Sequence, residues 1–290
     1  MTTVMALIVA GAARLVSAGV AFGHGTDNAF DEAAWLVLWR LALPIDADLE
    51  TIGNKTVSPA DASRVEALIT DRIATRKPAA YLTREAWLQG LSFYVDERAI
   101  VPRSFIAELL VEGDIDPWLG EHTRSVLDLC TGNGSLAVLA AMTWPDVVVD
   151  AADLSIEALQ VAAINVTRHQ LDERITLLHS DGLADVRGPY DLLVCNPPYV
   201  NAQSMAALPA EYRAEPGMAL AGGTDGMDFI RRLLADAPMQ MTERAVLVLE
   251  IGNERDHFEV AFPRLEAVWL ETSAGDAQVL LLTRESLLQA

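Results

Sequence analysis

The chain has 290 residues, 51% hydrophobic and 21% charged, a composition that suits one large or two smaller globular domains and excludes a disordered or fibrous polypeptide. Its net charge of −20 is uneven: residues 1–104 carry 12 acidic and 10 basic side chains, whereas residues 105–290 carry 29 and 11. An acidic field repels phosphate backbones, which argues against free nucleic acid as the main substrate and suits either a basic protein partner or plain solubility. The cysteines Cys130 and Cys195 have no CxxC spacing and no neighbouring histidine, so a zinc site or disulfide framework is not indicated and a reducing cytoplasm is.

The opening stretch from Met1 to Phe22 is apolar, yet Arg14 interrupts it and no basic segment precedes it, so it reads as a buried or amphipathic helix, not as a membrane or secretion segment. After the turn Gly23-His24-Gly25, Ala33, Leu36, Leu38, Leu41 and Leu43 recur at helical spacing over Phe30 to Leu43. Ser58-Pro59 begins another helix that runs to Arg76. The pattern then changes near Ala80, and Leu91 to Val95, a turn at Asp96-Glu97-Arg98 and Ala99 to Pro102 read as a hairpin.

From Ser125 onward the periodicity alternates. Ser125–Cys130, Val147–Asp153, Ile175–Asp181, Tyr190–Asn196 and Arg244–Gly252 are short apolar strands, with helices at Ser135–Met142, Ile156–Arg168 and Met227–Ala237 between them. The last part, Ala267–Thr272 and Ala277–Arg284 around Ala274-Gly275-Asp276, predicts an antiparallel hairpin.

The candidate chemistry sits at strand ends. Asp128-Leu-Cys-Thr-Gly132-Asn-Gly134 combines a tight glycine turn with the free N–H groups of a helix N-terminus, a place for an anionic group of a ligand. About twenty residues later, Asp153 ends the next strand where a carboxylate can accept two ribose hydroxyls. Asp181, followed by Gly182, ends the third. After the fourth, Asn196-Pro197-Pro198-Tyr199 holds the Asn196 amide and the proline carbonyls as rigid hydrogen-bonding groups, which suits an NH2 group that must be oriented. Glu250 either balances a buried partner or lines the pocket floor.

These features together resemble the S-adenosylmethionine-dependent methyltransferases, whose sheet is closed by one reversed strand. The resemblance implies an α/β class I, Rossmann-like fold with a small N-terminal helical substrate-recognition domain (1–85), a connecting β-hairpin (86–104) and the methyltransferase domain (105–290). It also implies S-adenosylmethionine held by Asp128, Cys130, Thr131, Gly132, Asn133, Gly134, Asp153, Asp181, Gly182 and Asn196, with Asn196, Pro197, Pro198 and Tyr199 as the catalytic loop and no metal. Asn-Pro-Pro-Tyr at this position is similar to two groups, amino-group DNA methyltransferases and protein-glutamine methyltransferases. Glu215-Pro216 with Ala219-Leu220, Gly222-Gly223, Asp225-Gly226 and Leu249-Glu250-Ile251-Gly252 resemble the protein-glutamine group.

Within it, Gly23-His24-Gly25-Thr-Asp27-Asn28, Tyr94-Val-Asp96-Glu-Arg98 and Val101-Pro102-Arg103-Ser104 resemble the branch acting on large-subunit ribosomal protein L-three; the release-factor branch carries Pro-Arg-Pro-Asp-Thr-Glu from the Pro102 position. The implied partner is that ribosomal protein or a ribosome assembly intermediate, in the cytoplasm, with no free DNA, membrane or metal. Methylation of a release factor or of DNA adenine, and a noncatalytic assembly role, are the alternatives.

Overall fold

The computed structural model describes residues 2–289; Met1, which opens the predicted N-terminal helix, and Ala290, which closes the 105–290 domain, lie outside the described residues. The chain forms two compact units, Met1–Ala86 with Leu208–Glu215, and Trp87–Ala207 with Pro216–Ala290.

The first unit is helical, with its longer helices at Val4–Ser17, Ala29–Arg40 and Pro59–Thr75. Each begins where a side-chain oxygen satisfies a free backbone N–H: Thr3, Asn28 and Ser58 accept from Ala6, Asp31 and Asp61. The first helix stops at Ser17 and not at Phe22, because Gly19 turns left-handed (φ 60) and the Gly19 and Val20 N–H groups reach back to the Val16 and Leu15 carbonyls. Its core packs Ile8, Leu15, Leu36, Val65 and Ile69. Arg72 is fully buried there; its Nε donates to Glu32 Oε1 at 2.8 Å and its Nη2 to the Ala21 carbonyl at 3.1 Å.

A two-stranded hairpin follows, β1 (Ala86–Leu88) and β2 (Leu91–Phe93). This corrects the expectation of strands at 91–95 and 99–102. The reversal falls at Gln89-Gly90, both at positive φ (48 and 75), as a two-residue hairpin turn requires. Asp96 instead gathers its neighbours: its carboxylate accepts from the Tyr94 hydroxyl at 2.8 Å and from the Arg98 N–H and Nε at 3.1 and 2.9 Å, which leaves a bend in place of a ladder. The Arg98 guanidinium holds the Asp96 carboxyl down at about 2.

The main sheet comprises β3 (Ser125–Leu129), β4 (Val148–Asp153), β5 (Ile175–His179), β6 (Tyr190–Cys195), β7 (Met241–Glu250), β8 (Val268–Thr272) and β9 (Gly275–Thr283), in the order β5-β4-β3-β6-β7-β9-β8. β3 to β7 are parallel, and β9 runs antiparallel between β7 and β8. Because side chains alternate along a strand, β6 sends Leu192 and Val194 into one core with Leu110, Leu136 and Val248, and Leu193 and Cys195 into the other with Ile230, Leu234 and Phe258. Both faces are therefore covered, and ligands have access only at strand ends. Among the described residues, no helix is long and apolar enough to cross a membrane.

Candidate active site

The turn between β3 and the helix Ser135–Thr143 is built by residues in the left-handed region, Cys130 (φ 61), Gly132 (φ 57) and Gly134 (φ 81). Gly134 is needed for packing, since a Cβ there would stand 3.1 Å from the Ala162 Cβ. Gly132 serves the opposite purpose: the nearest atom to a Cβ on it is the Cys130 carbonyl at 4.0 Å, so its face is open to an approaching ligand.

Two carboxylates hold this turn. Asp128, fully buried, accepts from the Thr131 hydroxyl at 2.5 Å and the Ala137 N–H at 2.9 Å, while burial pushes its carboxyl up to about 7. Asp153, at the end of β4, accepts from the Gly132 N–H at 2.9 Å and the Ser155 N–H at 2.8 Å. Burial raises the Asp153 carboxyl, and those N–H groups oppose the rise. The first residues of two strands' exits are thus cross-tied, and the turn has little freedom left.

A cavity of about 690 Å³ opens over these ends and is lined by Cys130, Gly132, Asp153, Asp181, Gly182, Asn196 and Pro198 among the residues singled out in the sequence. Asp128, Thr131, Asn133 and Gly134 stand behind the turn, buried, and shape it. Pro197 and Tyr199 are likewise outside the cavity wall. Asp181 is half exposed and pairs with Arg232 Nη1 at 3.3 Å. Phe229, which the sequence reading did not single out, lines the cavity with its ring 3.7 Å from where a Gly182 Cβ would lie. Its signal was available: on the helix Asp228–Asp236 the core takes Ile230, Leu233 and Leu234, which leaves an aromatic off the buried stripe.

The Asn196–Tyr199 loop leaves the buried end of β6. Among the described residues the Asn196 side chain has no intramolecular hydrogen-bond partner, so its amide is available to whatever occupies the cavity. Tyr199 anchors the loop from behind: its hydroxyl donates to Glu250 Oε1 at 3.3 Å, and its ring covers Gly252, where a Cβ would come within 2.5 Å of it. Glu250 is buried and also accepts from the Ser104 hydroxyl at 2.6 Å and the Phe105 N–H at 2.9 Å; burial pushes its carboxyl upward against those bonds. Glu250 therefore balances buried partners and does not line the cavity floor.

The register places Leu129 beside Cys195, and the two thiols meet across β3 and β6, but only Cys130 reaches the cavity. Burial, and then the hydrogen bond with Cys130, pushes the Cys195 thiol up.

The cavity fits S-adenosylmethionine on its own geometry. An open glycine face at a helix start suits a carboxylate, and Asp153, among the residues lining the cavity, suits ribose hydroxyls. Two buried polar atoms at the turn, Asp128 Oδ1 and Asn133 Nδ2, have no protein partner.

Comparison with known proteins agrees. The family model for the methyltransferase small domain matches residues 108–211. A ribosomal protein uL3 glutamine methyltransferase of Bordetella pertussis is 54% identical over 98% of this chain and 96% of its own. One of Neisseria gonorrhoeae is 48% identical over 99% and 96%. A crystal structure of the hMettl16 catalytic domain with the MAT2A 3'UTR hairpin 6 superposes with a TM-score of 0.53 at 15% identity, over 78% of this chain and 81% of that one, a likeness of fold. The chain therefore belongs to the ribosomal protein uL3 glutamine methyltransferase family and is an S-adenosylmethionine-dependent enzyme.

Proposed function

We propose that this enzyme methylates the side-chain amide nitrogen of a glutamine in large-subunit ribosomal protein L-three, in the cytoplasm, on the free protein or an assembly intermediate. The single observation that carries the reading is the unpartnered Asn196 amide at the edge of the cavity, on a loop fixed by Pro197 and Pro198. Near-full-length similarity to relatives bearing that name supports the substrate. The same reaction on a release factor lacks the Pro-Arg-Pro-Asp-Thr-Glu block, since this chain has Pro102-Arg103-Ser104-Phe105. DNA adenine is opposed by the excess of acidic over basic side chains in 105–290.

The Gly132 turn, Asp153, Asp181, Gly182 and Asn196, with Phe229 beside them, would hold S-adenosylmethionine, which would supply an electrophilic methyl group. A glutamine amide nitrogen is a weak nucleophile because its lone pair is delocalised into the carbonyl, and no ordinary side-chain base removes its proton in advance. The protein's contribution is alignment. The Asn196 side-chain oxygen and the Pro197 carbonyl each accept one amide hydrogen, which fixes the NH2 group and directs its electron density toward the methyl. These acceptors interact more strongly as positive charge develops on the nitrogen, so they favour the transition state over the ground state, and the methylated nitrogen then loses one of its hydrogens as a proton to solvent. Tyr199, through Glu250 and Gly252, keeps the loop in register. The helical unit 1–85 recognises the substrate protein, and 86–104 joins it to the catalytic domain.

Replacing Asn196 tests this. Asn196→Ala should slow methyl transfer by roughly 100-fold, the scale for removing one aligned polar group, with the unfolding midpoint little changed. An unaltered rate would exclude Asn196 from the reaction and leave a noncatalytic, assembly-type role for the loop.

A further inference from the structure

The segment that follows the first hairpin, residues 94–100, brings a cation to the cavity that the transfer chemistry leaves unused. Arg98, Ala99 and Ile100 line the cavity together with Gly132 and Asp153. Asn165, buried on the helix Ile156–Arg168, decides where this segment lies. Its Oδ1 accepts from the Tyr94 N–H at 2.7 Å, and its Nδ2 donates to the Tyr94 carbonyl at 2.9 Å and to the Asn133 carbonyl at 2.8 Å. Asn133 belongs to the glycine turn, so one side-chain amide staples the start of the segment to that turn. Ala99 packs on Ala158 and Val161 of the same helix, whose Ala162 closes against Gly134. Arg98 therefore stands on the glycine-turn side of the cavity.

The guanidinium is aimed as well as placed. The Asp96 carboxylate, with its side chain 7% exposed, accepts from Arg98 Nε at 2.9 Å and from Nη2 at 2.7 Å, a two-point grip that fixes the guanidinium plane. The Tyr94 hydroxyl holds Asp96 in turn at 2.8 Å, and Gln160 Oε1 accepts from Arg98 Nη1 at 3.1 Å. Of the arginine's N–H groups, these bonds leave one on Nη1 and one on Nη2, enough to meet both oxygens of a carboxylate.

Two further arginines line the cavity, but they project from the helix Asp228–Asp236, beside Phe229 and the Asp181-Gly182 side of the cavity. There Arg231 is paired with Asp225 and Arg232 with Asp181. The methionyl carboxylate is the anion that S-adenosylmethionine brings. Asp153, Asp181 and Asp228 on the cavity wall suit hydroxyl and amino groups and repel that carboxylate. A glutamine side chain is neutral and offers Arg98 no charge to meet.

We propose that Arg98, aimed by Asp96, binds the carboxylate of the methyl donor together with the Gly132 turn, and so selects donors that carry an intact amino-acid end. The inference rests on the reading of this cavity as the donor site and is independent of which protein is methylated.

The test uses the full-length protein and two nucleosides: S-adenosylhomocysteine, which has the carboxylate, and methylthioadenosine, which lacks the amino-acid end. Calorimetry gives the Kd of each for the wild type and for variants at Arg98 and Arg232. Arg98→Met keeps an unbranched stem and loses the donors; it should weaken S-adenosylhomocysteine about 30-fold and methylthioadenosine less than about threefold, the scale of a charge-assisted hydrogen-bonded pair. Arg98→Lys, a point charge without the planar fork, should lie between, at about fivefold for S-adenosylhomocysteine. Equal weakening of both nucleosides by Arg98→Met, or of neither, would overturn the proposal and leave the Asp96–Arg98 pair the role of forming the bend. A selective loss of S-adenosylhomocysteine in Arg232→Ala and not in Arg98→Met would overturn it too, and would assign the carboxylate to the opposite rim. Should Arg98→Met lower the thermal midpoint by more than about 5 °C, Arg98→Gln, which keeps a donor for Asp96, is judged on the same pair of Kd values. A wild type that binds neither nucleoside would sink the donor-site reading, and this proposal with it.

Discussion

Asp128 shows how one buried side chain supports the turn that lines the cavity. Its carboxylate ties the Thr131 hydroxyl to the start of the helix Ser135–Thr143, and burial raises it to about 7. An unfolded aspartate titrates near about 4, so between that value and about 7 the folded chain keeps a proton that the unfolded chain has lost. Stability from this group is therefore greatest at the acid side of that window and declines as pH rises through it. Asp153, Glu250 and Glu32 are also pushed upward, first by burial, and contribute with the same sign. The thermal midpoint of the wild type should fall from about pH 5 to about pH 8, and Asp128→Asn should fall less steeply. Parallel slopes in the two proteins would show that Asp128 does not carry the effect.

At the scale of elements, the parallel strands were readable because doubly covered strands are continuous apolar runs, and β3 to β6 lie within a residue or two of the expected spans. The glycine turn, the strand-end aspartates and the proline loop were readable for the same reason, since each interrupts an apolar run with residues that have a specific backbone or polar use. The first hairpin was misplaced because Gln89 carries no turn signature, while Asp96 does and spends it on Arg98. The contact of His24 with Glu215 was not readable at all, because they are 191 positions apart and only the fold brings them together. Tyr199 anchors the loop of the site, its ring packed over Gly252 just beyond the end of β7. Gly252→Ala should displace the ring and slow transfer about tenfold or more, whereas Tyr199→Phe, which keeps the ring and loses one 3.3 Å hydrogen bond, should cost clearly less. Equal losses in the two variants, measured as kcat, would contradict the packing role given to the ring.

For the whole molecule, the chain forms a helical unit and a unit built on the main sheet, and most of the acidic excess falls in residues 105–290. The identity of the methyl acceptor distinguishes the candidate reactions. It is tested most directly by giving the purified enzyme labelled S-adenosylmethionine with ribosomal protein L-three, a release factor or DNA in separate reactions, and locating the label by mass spectrometry. Label is expected in ribosomal protein L-three, on the side-chain nitrogen of one glutamine, at a rate far above that with the other two. Label found only in DNA or only in the release factor, or on another residue type of ribosomal protein L-three, would contradict it.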